Sequence, residues 1–337
     1  MRRFLLLLIV GLGLSPGTFW RFELPPPNHE QILKATPLPL PAGERARIGG
    51  AEGPLVTGLW KLSSPNDDFG SYSALLAPDD RTLLALSDRG AYLRMAMPPR
   101  QSGTAGIGAI LPGGDHFKHS RDIEAAAQDL VTGRIWMALE GRNAILRGNA
   151  DFGDIRAVSP DAMRAWPRNS GPEAMTRLPD GRFIVLSEEP LAEDGRASIG
   201  LLFSGDPLEG GEPLSFTFRP PEGYNPSDMA LLPDGRVLIL LRGVRIGIPP
   251  HFAGRLLVAD PATIEAGKSW KWEPLAELEG PIPRDNYEGL TVTGGAGGGP
   301  AVIWLISDDN GAQFIQRSLL VRLEWQEGSG VPRGSRE

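Results

Sequence analysis

The sequence predicts an all-β fold, a β-propeller of four-stranded antiparallel blades closed by an N-terminal strand. Three observations predict it. First, one plan repeats: a strand, a tight turn, a second strand and a polar, mostly acidic ending. It occurs at Tyr72–Gly90, Asp122–Asn143, Pro172–Glu189, Pro226–Gly243 and Tyr287–Asn310. With Tyr72, Glu124, Glu173, Ser227 and Glu288 aligned, the steps are about 50–60 residues, a spacing that suits four-stranded propeller blades. Second, glycine (43) and proline (32) are abundant and fall between short apolar runs, as turn punctuation does. Third, an unmatched strand region at 54–64 precedes the first hairpin, and one strand, Ser318–Trp325, follows the last. Pairing the two closes the ring and removes its open edges. The count is five blades, or six if 45–64 hides a degenerate unit.

In chain order, residues 1–20 put two arginines ahead of an apolar run that starts at Phe4, the pattern of a signal peptide. The run is short for a membrane span, and no clear small-x-small cleavage site follows, so an uncleaved N-terminal anchor is the alternative. Residues 21–44 read as a Pro-rich linker or extended strap and 45–326 as the propeller domain. Residues 327–337 read as a disordered tail, in which VPRGS resembles a thrombin-type linker scar. The expected protein is periplasmic or secreted and monomeric, with any membrane association through the N-terminus only.

The third unit shows the blade plan most plainly. EAMTRL and FIVLSE flank Pro179-Asp180-Gly181, and Asp and Gly supply the backbone geometry of a tight hairpin. ASIGLLFSG and LSFTFR follow as its outer strands. RLLVAD and WEPLAEL serve the fourth unit, AYLRMAM and IGAIL the first.

Strands joined by a hairpin run antiparallel, so the start of the first and the end of the second share one end of the blade. All five units therefore deliver these positions to one rim, and the Pro-Asp-Gly turns go to the other. Crowded carboxylates raise one another's pKa unless cations or arginines offset them. Oxygen ligands without thiolates favour a hard divalent cation, calcium first and magnesium second. Glu124, Glu173, Asp228, Glu288 and Asp308 are the candidate metal ligands. Arg89, Arg121 and Arg242 are the candidates to hold a substrate anion. Glu173 and Glu288 also qualify as catalytic carboxylates, and His119 as a general acid or base oriented by Asp122. A metal-bound water would be the nucleophile, with no covalent intermediate. The plainer alternative is that these acids cap loops or bond to backbone amides between blades.

Several function classes are excluded. A net charge of −7 with no basic stripe argues against a nucleic-acid partner. The absence of cysteine removes disulfides, thiolate metal sites and a Cys nucleophile. There is no GxSxG elbow, and Gly294–Gly299 is a lengthened hairpin turn lacking the Lys-Ser/Thr ending of a phosphate loop.

Read in order, SDRG (Ser87–Gly90), RDIEA (Arg121–Ala125), PEAM with LPDGR, NPSDMALLPDGR (Asn225–Arg236), NYEGL (Asn286–Leu290) and ISDDN (Ile306–Asn310) resemble the phytase-like family, the group described by an esterase-like activity of phytase. The resemblance extends from about Tyr72 to Leu323. It implies an exported propeller and hydrolysis of phosphate or carboxylic esters. In the β-propeller phytases, carboxylates at one end of the channel bind several calcium ions that hold substrate phosphates and activate water. Their acidic DAxDP-type signature is absent here. The sugar-lactone hydrolase propellers offer a second analogy, with one central metal among Glu, Asp and Asn side chains, an arrangement that Glu288, Asp228, Asn225 and Glu173 could form. The functional expectation is an exported, metal-dependent hydrolase of small anionic esters. The alternatives are a lactonase-like hydrolase and a non-catalytic, envelope-associated propeller with structural calcium.

Overall fold

In the computed structural model, which describes residues 26–41, 46–99, 103–110, 121–188, 192, 195–245, 251–311 and 316–326, the five repeats become five blades. Two strands precede the first repeat, β1 (Lys34–Pro37) and β2 (Leu55–Ser63). The first blade is β3 (Tyr72–Leu76), β4 (Thr82–Ser87), β5 (Ala91–Ala96) and β6 (Gly106–Ala109). The second is β7 (Ile123–Asp129), β8 (Arg134–Leu139), β9 (Ala144–Gly148) and β10 (Arg156–Val158). The third is β11 (Pro172–Arg177), β12 (Phe183–Ser187), β13 (Ser198–Phe203) and β14 (Leu214–Phe218). The fourth begins with β15 (Asn225–Leu231), β16 (Val237–Arg245) and β17 (His251–Ala259). The short β18 (Ser269–Trp270) then joins β14 in parallel as a fifth strand of the third blade, and β19 (Glu273–Glu277) completes the fourth. The fifth blade takes β20 (Tyr287–Gly294), β21 (Ala301–Ser307) and β22 (Ser318–Trp325), and β2 pairs with β22 to complete it.

The count is therefore five, and 45–64 holds the closing strand instead of a sixth blade. Part of the Pro-rich stretch 21–44 is also strand, since β1 pairs along β2 as the outermost strand of the closing blade. The innermost strands β3, β7, β11, β15 and β20 each touch the next around a closed ring. Among the described residues the only helical pieces are short 3-10 turns, and no helix is long and apolar enough to cross a membrane.

Middle strands such as β4 (TLLALS) are buried on both faces, because each blade is sandwiched between two others and both sides of its sheet must be apolar. The core accordingly falls into five clusters, one per blade–blade interface. Large aromatics anchor three of them. Trp136 meets Phe183 edge-on at 4.9 Å between the second and third blades. Phe216 meets Trp270 at 5.8 Å on the third blade's fourth-blade side. In the closing blade Trp60 of β2 stacks on Trp304 of β21 at 6.1 Å, tying the N-terminal strand in by packing as well as by its ladder.

The hairpin turns behave as their composition demands. In LPDGR, Gly181 has φ +92, a left-handed conformation open to glycine without a Cβ penalty. The Asp180 carboxylate accepts from the Arg182 backbone N–H at 3.1 Å, which fixes the turn.

All five innermost strands also share a slip in register near their first residues. Pairing skips Ser73, Glu124, Glu173, Ser227 and Glu288. Each is a β-bulge residue with no partner opposite, and such bulges re-aim side chains. This corrects the alignment of the repeats, because the first unit's equivalent position is Ser73. Tyr72 is the paired residue before it, fully buried against Phe69.

Candidate functional site

The bulges decide what stands at the acidic rim. In two blades the bulge residue is a serine bonding to the neighbouring innermost strand: Ser73 Oγ donates to the Ile123 carbonyl, and Ser227 Oγ to the Glu288 carbonyl at 3.2 Å. In the other three it is a glutamate. Glu173 and Glu288 are 5% and 6% exposed, and Glu124 is partly buried.

Arg242, at the rim end of β16, gathers carboxylates from two other blades. Its guanidinium donates to Glu288, to Glu188 at 2.8 Å and to Glu173 at 3.2 Å. Asn286 steadies the same assembly, donating through Nδ2 to Glu288 at 2.8 Å and to Asp308 at 3.4 Å. Arg242 was expected to hold a substrate anion; the structure gives its charge to the protein's own carboxylates.

Among the described residues, two groups of acids have one carboxylate oxygen each within 4.8 Å of the others: Asp122 with Glu124 and Glu140, and Glu140 with Glu173 and Glu188. Glu140 is common to both. Its approach to the third blade depends on Gly171, where a Cβ would lie 2.6 Å from Asn143 Oδ1 and 3.0 Å from the Glu140 Cα. Only a residue without a side chain lets the third blade's first strand press this close to the second blade's strand end.

The electrostatics follow from this crowding. Burial, then the charge of Glu173, pushes the Glu124 carboxyl well above the ordinary range. Burial and then Glu188 do the same to Glu173, against the opposing pull of Arg242. Glu288 is raised by burial, with Arg242 and Asn286 restraining the shift. Asp308 is pushed up to about 8, first by burial and then by Glu288. Glu173 Oε2 is buried with no hydrogen-bond partner, while Oε1 takes Arg242. Asn286 Oδ1 is likewise buried and unpartnered.

Not every expected ligand reaches this group. Asp228 is committed to backbone, with Oδ1 accepting from Met229 N–H at 2.8 Å and Oδ2 from Leu290 N–H at 2.7 Å. It braces β15 against β20, which is the plainer alternative read from the sequence. Asp308 stands beside Glu288 through Asn286, outside both groups of close carboxylates, and its Oδ1 accepts from Asn310 N–H at 2.7 Å. The Arg89 guanidinium donates to the Phe69 carbonyl at 2.7 Å. Arg121 packs its aliphatic stem against Gly90. His119 lies outside the described residues. Conversely, Asp122, Glu140 and Glu188 belong to the acid groups although they are not among the ligands the sequence suggests. Their signal was position alone: each flanks a bulge glutamate at a strand start or strand end.

The comparisons bear on this assembly. The family model for phytase-like proteins, described as esterase-like activity of phytase, matches residues 67–311. The chain belongs to the phytase-like family. The match spans all five hairpins, from just before β3 to just after β21, and so includes every carboxylate of the rim.

No curated protein matches this phytase-like chain. Among solved structures it is similar to a PQQ-bound aldose sugar dehydrogenase from Streptomyces coelicolor, at 14% identity and TM-score 0.45, covering 89% of this chain and 99% of that one. It is similar to XC5397 from Xanthomonas campestris, described as a gluconolactonase, at 12% identity and TM-score 0.43, with the same coverages. It is also similar to the Kuenenia stuttgartiensis hydrazine synthase, at 13% identity and TM-score 0.38, where it spans 59% of that chain's length.

Proposed function

We propose that the chain is a cation-dependent hydrolase of small anionic esters, phosphate or carboxylic, acting at the carboxylate rim. The observation that carries this is Glu173 Oε2, a buried carboxylate oxygen with no hydrogen-bond partner inside a group of converging acids. Leaving such an atom unpaired is costly, and crowding carboxylates is costly again; one bound cation removes both costs. The donor set is oxygen only, which suits calcium first and magnesium second. Glu140, Glu173 and Glu188 would hold the ion, and Glu140 is also grouped with Asp122 and Glu124. When bound, a divalent cation supplies charge neutralisation and Lewis acidity toward an ester oxygen or a water.

The chain's own residues do the rest. Arg242 keeps the acids compact and offsets part of their charge, Asn286 orients Glu288, and Glu288 is placed to take a proton from an attacking water. A periplasmic or secreted location is proposed from the N-terminal pattern. Binding of structural calcium without catalysis is the second reading, and one observation favours it: Arg242, the best-placed anion holder, is already occupied by three carboxylates.

The test is a screen of aryl phosphates, phytate, aryl esters and lactones with calcium, magnesium or manganese, against a chelator control. Turnover lost on chelation and in Glu173→Gln with Glu288→Gln supports hydrolysis. No turnover of any substrate, with a calcium-dependent gain in melting temperature, supports the second reading.

A further inference from the structure

The rim opposite the carboxylates is built from the hairpin turns, and four of them carry an arginine where the second strand begins: Arg81, Arg134, Arg182 and Arg236. In three, the turn also supplies that arginine with an aspartate. Asp80 lies 3.7 Å from Arg81, Asp180 2.8 Å from Arg182 and Asp234 2.6 Å from Arg236. The turn between β7 and β8 breaks the plan. It reads Leu130-Val131-Thr132-Gly133 where the third blade has Pro-Asp-Gly. Arg134 is therefore exposed, and its guanidinium has no ion pair or hydrogen bond among the described residues.

Leu130 and Val131 stand 66% and 94% exposed, the one adjacent pair of exposed large apolar residues among those described. The turn that holds them is well fixed: Asp129 Oδ1 accepts from the Val131 N–H at 3.0 Å, and the Asp129 carbonyl from the Gly133 N–H at 2.8 Å. Beside this tip the central channel opens as a cavity of about 380 Å³ to which all five innermost strands contribute. Pro179, Leu231 and Val292 give its mouth partly exposed apolar wall. Polar side chains in the lining are committed within the chain, Gln128 donating to the Ala77 carbonyl at 2.7 Å and Asp129 pairing with Arg177 at 3.5 Å. An apolar peg and an apolar hole thus share one face, a pattern that marks association.

The charges of this face are complementary to themselves. The β3–β4 turn sets Asp79 and Asp80 against Arg81, one negative charge in excess. The neighbouring β7–β8 turn carries Arg134 and no acid, one positive charge in excess. Gln128 ties the two turns together through Ala77. A two-fold axis through such a face sets each turn against the other's opposite. We propose that the rim opposite the carboxylates is a homodimer interface. A second copy of this chain docks on it, each Leu130-Val131 tip entering the partner's channel mouth and Arg134 facing the partner's Asp79 and the partner's Asp80. Both acidic rims then point outward and stay open, so the proposal does not depend on what those rims do. The monomer expected from the sequence becomes the dilute species.

The test is sedimentation velocity of the intact chain over a range of concentrations, with melting temperature and calcium affinity measured in dilute solution. The wild type should pass from one chain to two as concentration rises. Leu130→Asp with Val131→Asp should stay a single chain, with melting temperature and calcium affinity unchanged, because both side chains are exposed and far from the carboxylates. Arg134→Glu should weaken association roughly tenfold or more, since the change counts twice across the two-fold axis and sets like charges together. Asp80→Lys alone should also weaken it, and Arg134→Glu combined with Asp80→Lys should restore it. A wild type that stays a single chain at every concentration overturns the proposal, as does a tip variant that still dimerises or a charge swap that restores nothing. A single chain that instead binds phosphatidylcholine–phosphatidylglycerol vesicles through the tip overturns it in favour of a membrane surface.

Discussion

Glu173 is where the residue-scale account is most exposed. It shares Arg242 through one oxygen and leaves the other buried without a partner. Replacing it with Gln keeps the shape and removes a charge that its neighbours repel. In chelator, Glu173→Gln should therefore melt at the same temperature as the wild type or slightly higher. Arg242→Gln should do the opposite, because it strands Glu173, Glu188 and Glu288 without their cation; the expected loss is about 3 kcal/mol in chelator, partly recovered with calcium, and is read from denaturant unfolding. The pH dependence has a definite sign. Asp308 has an ordinary value of 3.8 and a folded value of about 8, so the native state keeps a proton that the unfolded chain releases. That contribution is complete below about pH 4 and is lost as pH rises through the folded value, at up to about 1.4 kcal/mol per pH unit. Metal-free protein should thus melt at lower temperature as pH rises from 5 to 9, and Asp308→Asn should flatten the trend. A melting temperature that climbs toward alkaline pH contradicts this. At this scale the sequence was only partly legible. Glu124, Glu173 and Glu288 stood out because they recur at one place in the repeat, but nothing in residue identity marks a bulge. Tyr72 was therefore aligned one residue away from Ser73, the true counterpart.

At the scale of elements, the hairpins were the most legible feature, since Pro-Asp-Gly chemistry dictates the turn and antiparallel pairing dictates which ends meet. What a carboxylate at a strand start then does was not legible. Asp228 and Glu173 sit one residue apart in the repeat, Asp228 just after the bulge and Glu173 within it. That one-residue difference turns Asp228 toward the amides of Met229 and Leu290, while Glu173 faces Arg242. Asp228→Ala should remove the acceptor of two buried N–H groups and cost about 2–3 kcal/mol. Calcium affinity should be unchanged, because the lost contacts tie β15 to β20 and not to the ion. A marked fall in calcium affinity would return Asp228 to the ligand set.

At the scale of the whole molecule, the five-fold count and the closure by an N-terminal strand followed from the spacing of the repeats and from two strands left unmatched. The share of 21–44 in the sheet was less evident, because proline-rich sequence reads equally as strap or strand; β1 settles it by pairing with β2. Closure is expected to be cooperative. Starting the chain after Ser63 strips β22 of one of its two partners and removes the buried Val56, Leu59, Trp60 and Leu62 from the core, so circular dichroism should show no single sharp melt. The central claim is that the five blades converge on a rim that binds a divalent cation, and calorimetric titration of chelator-treated protein with calcium at neutral pH tests it most directly. The account predicts saturable binding with a dissociation constant of about 10⁻⁴ M or tighter, weakened at least tenfold by Glu173→Gln. No binding heat with no shift in melting temperature, or binding that Glu173→Gln leaves intact, would contradict it.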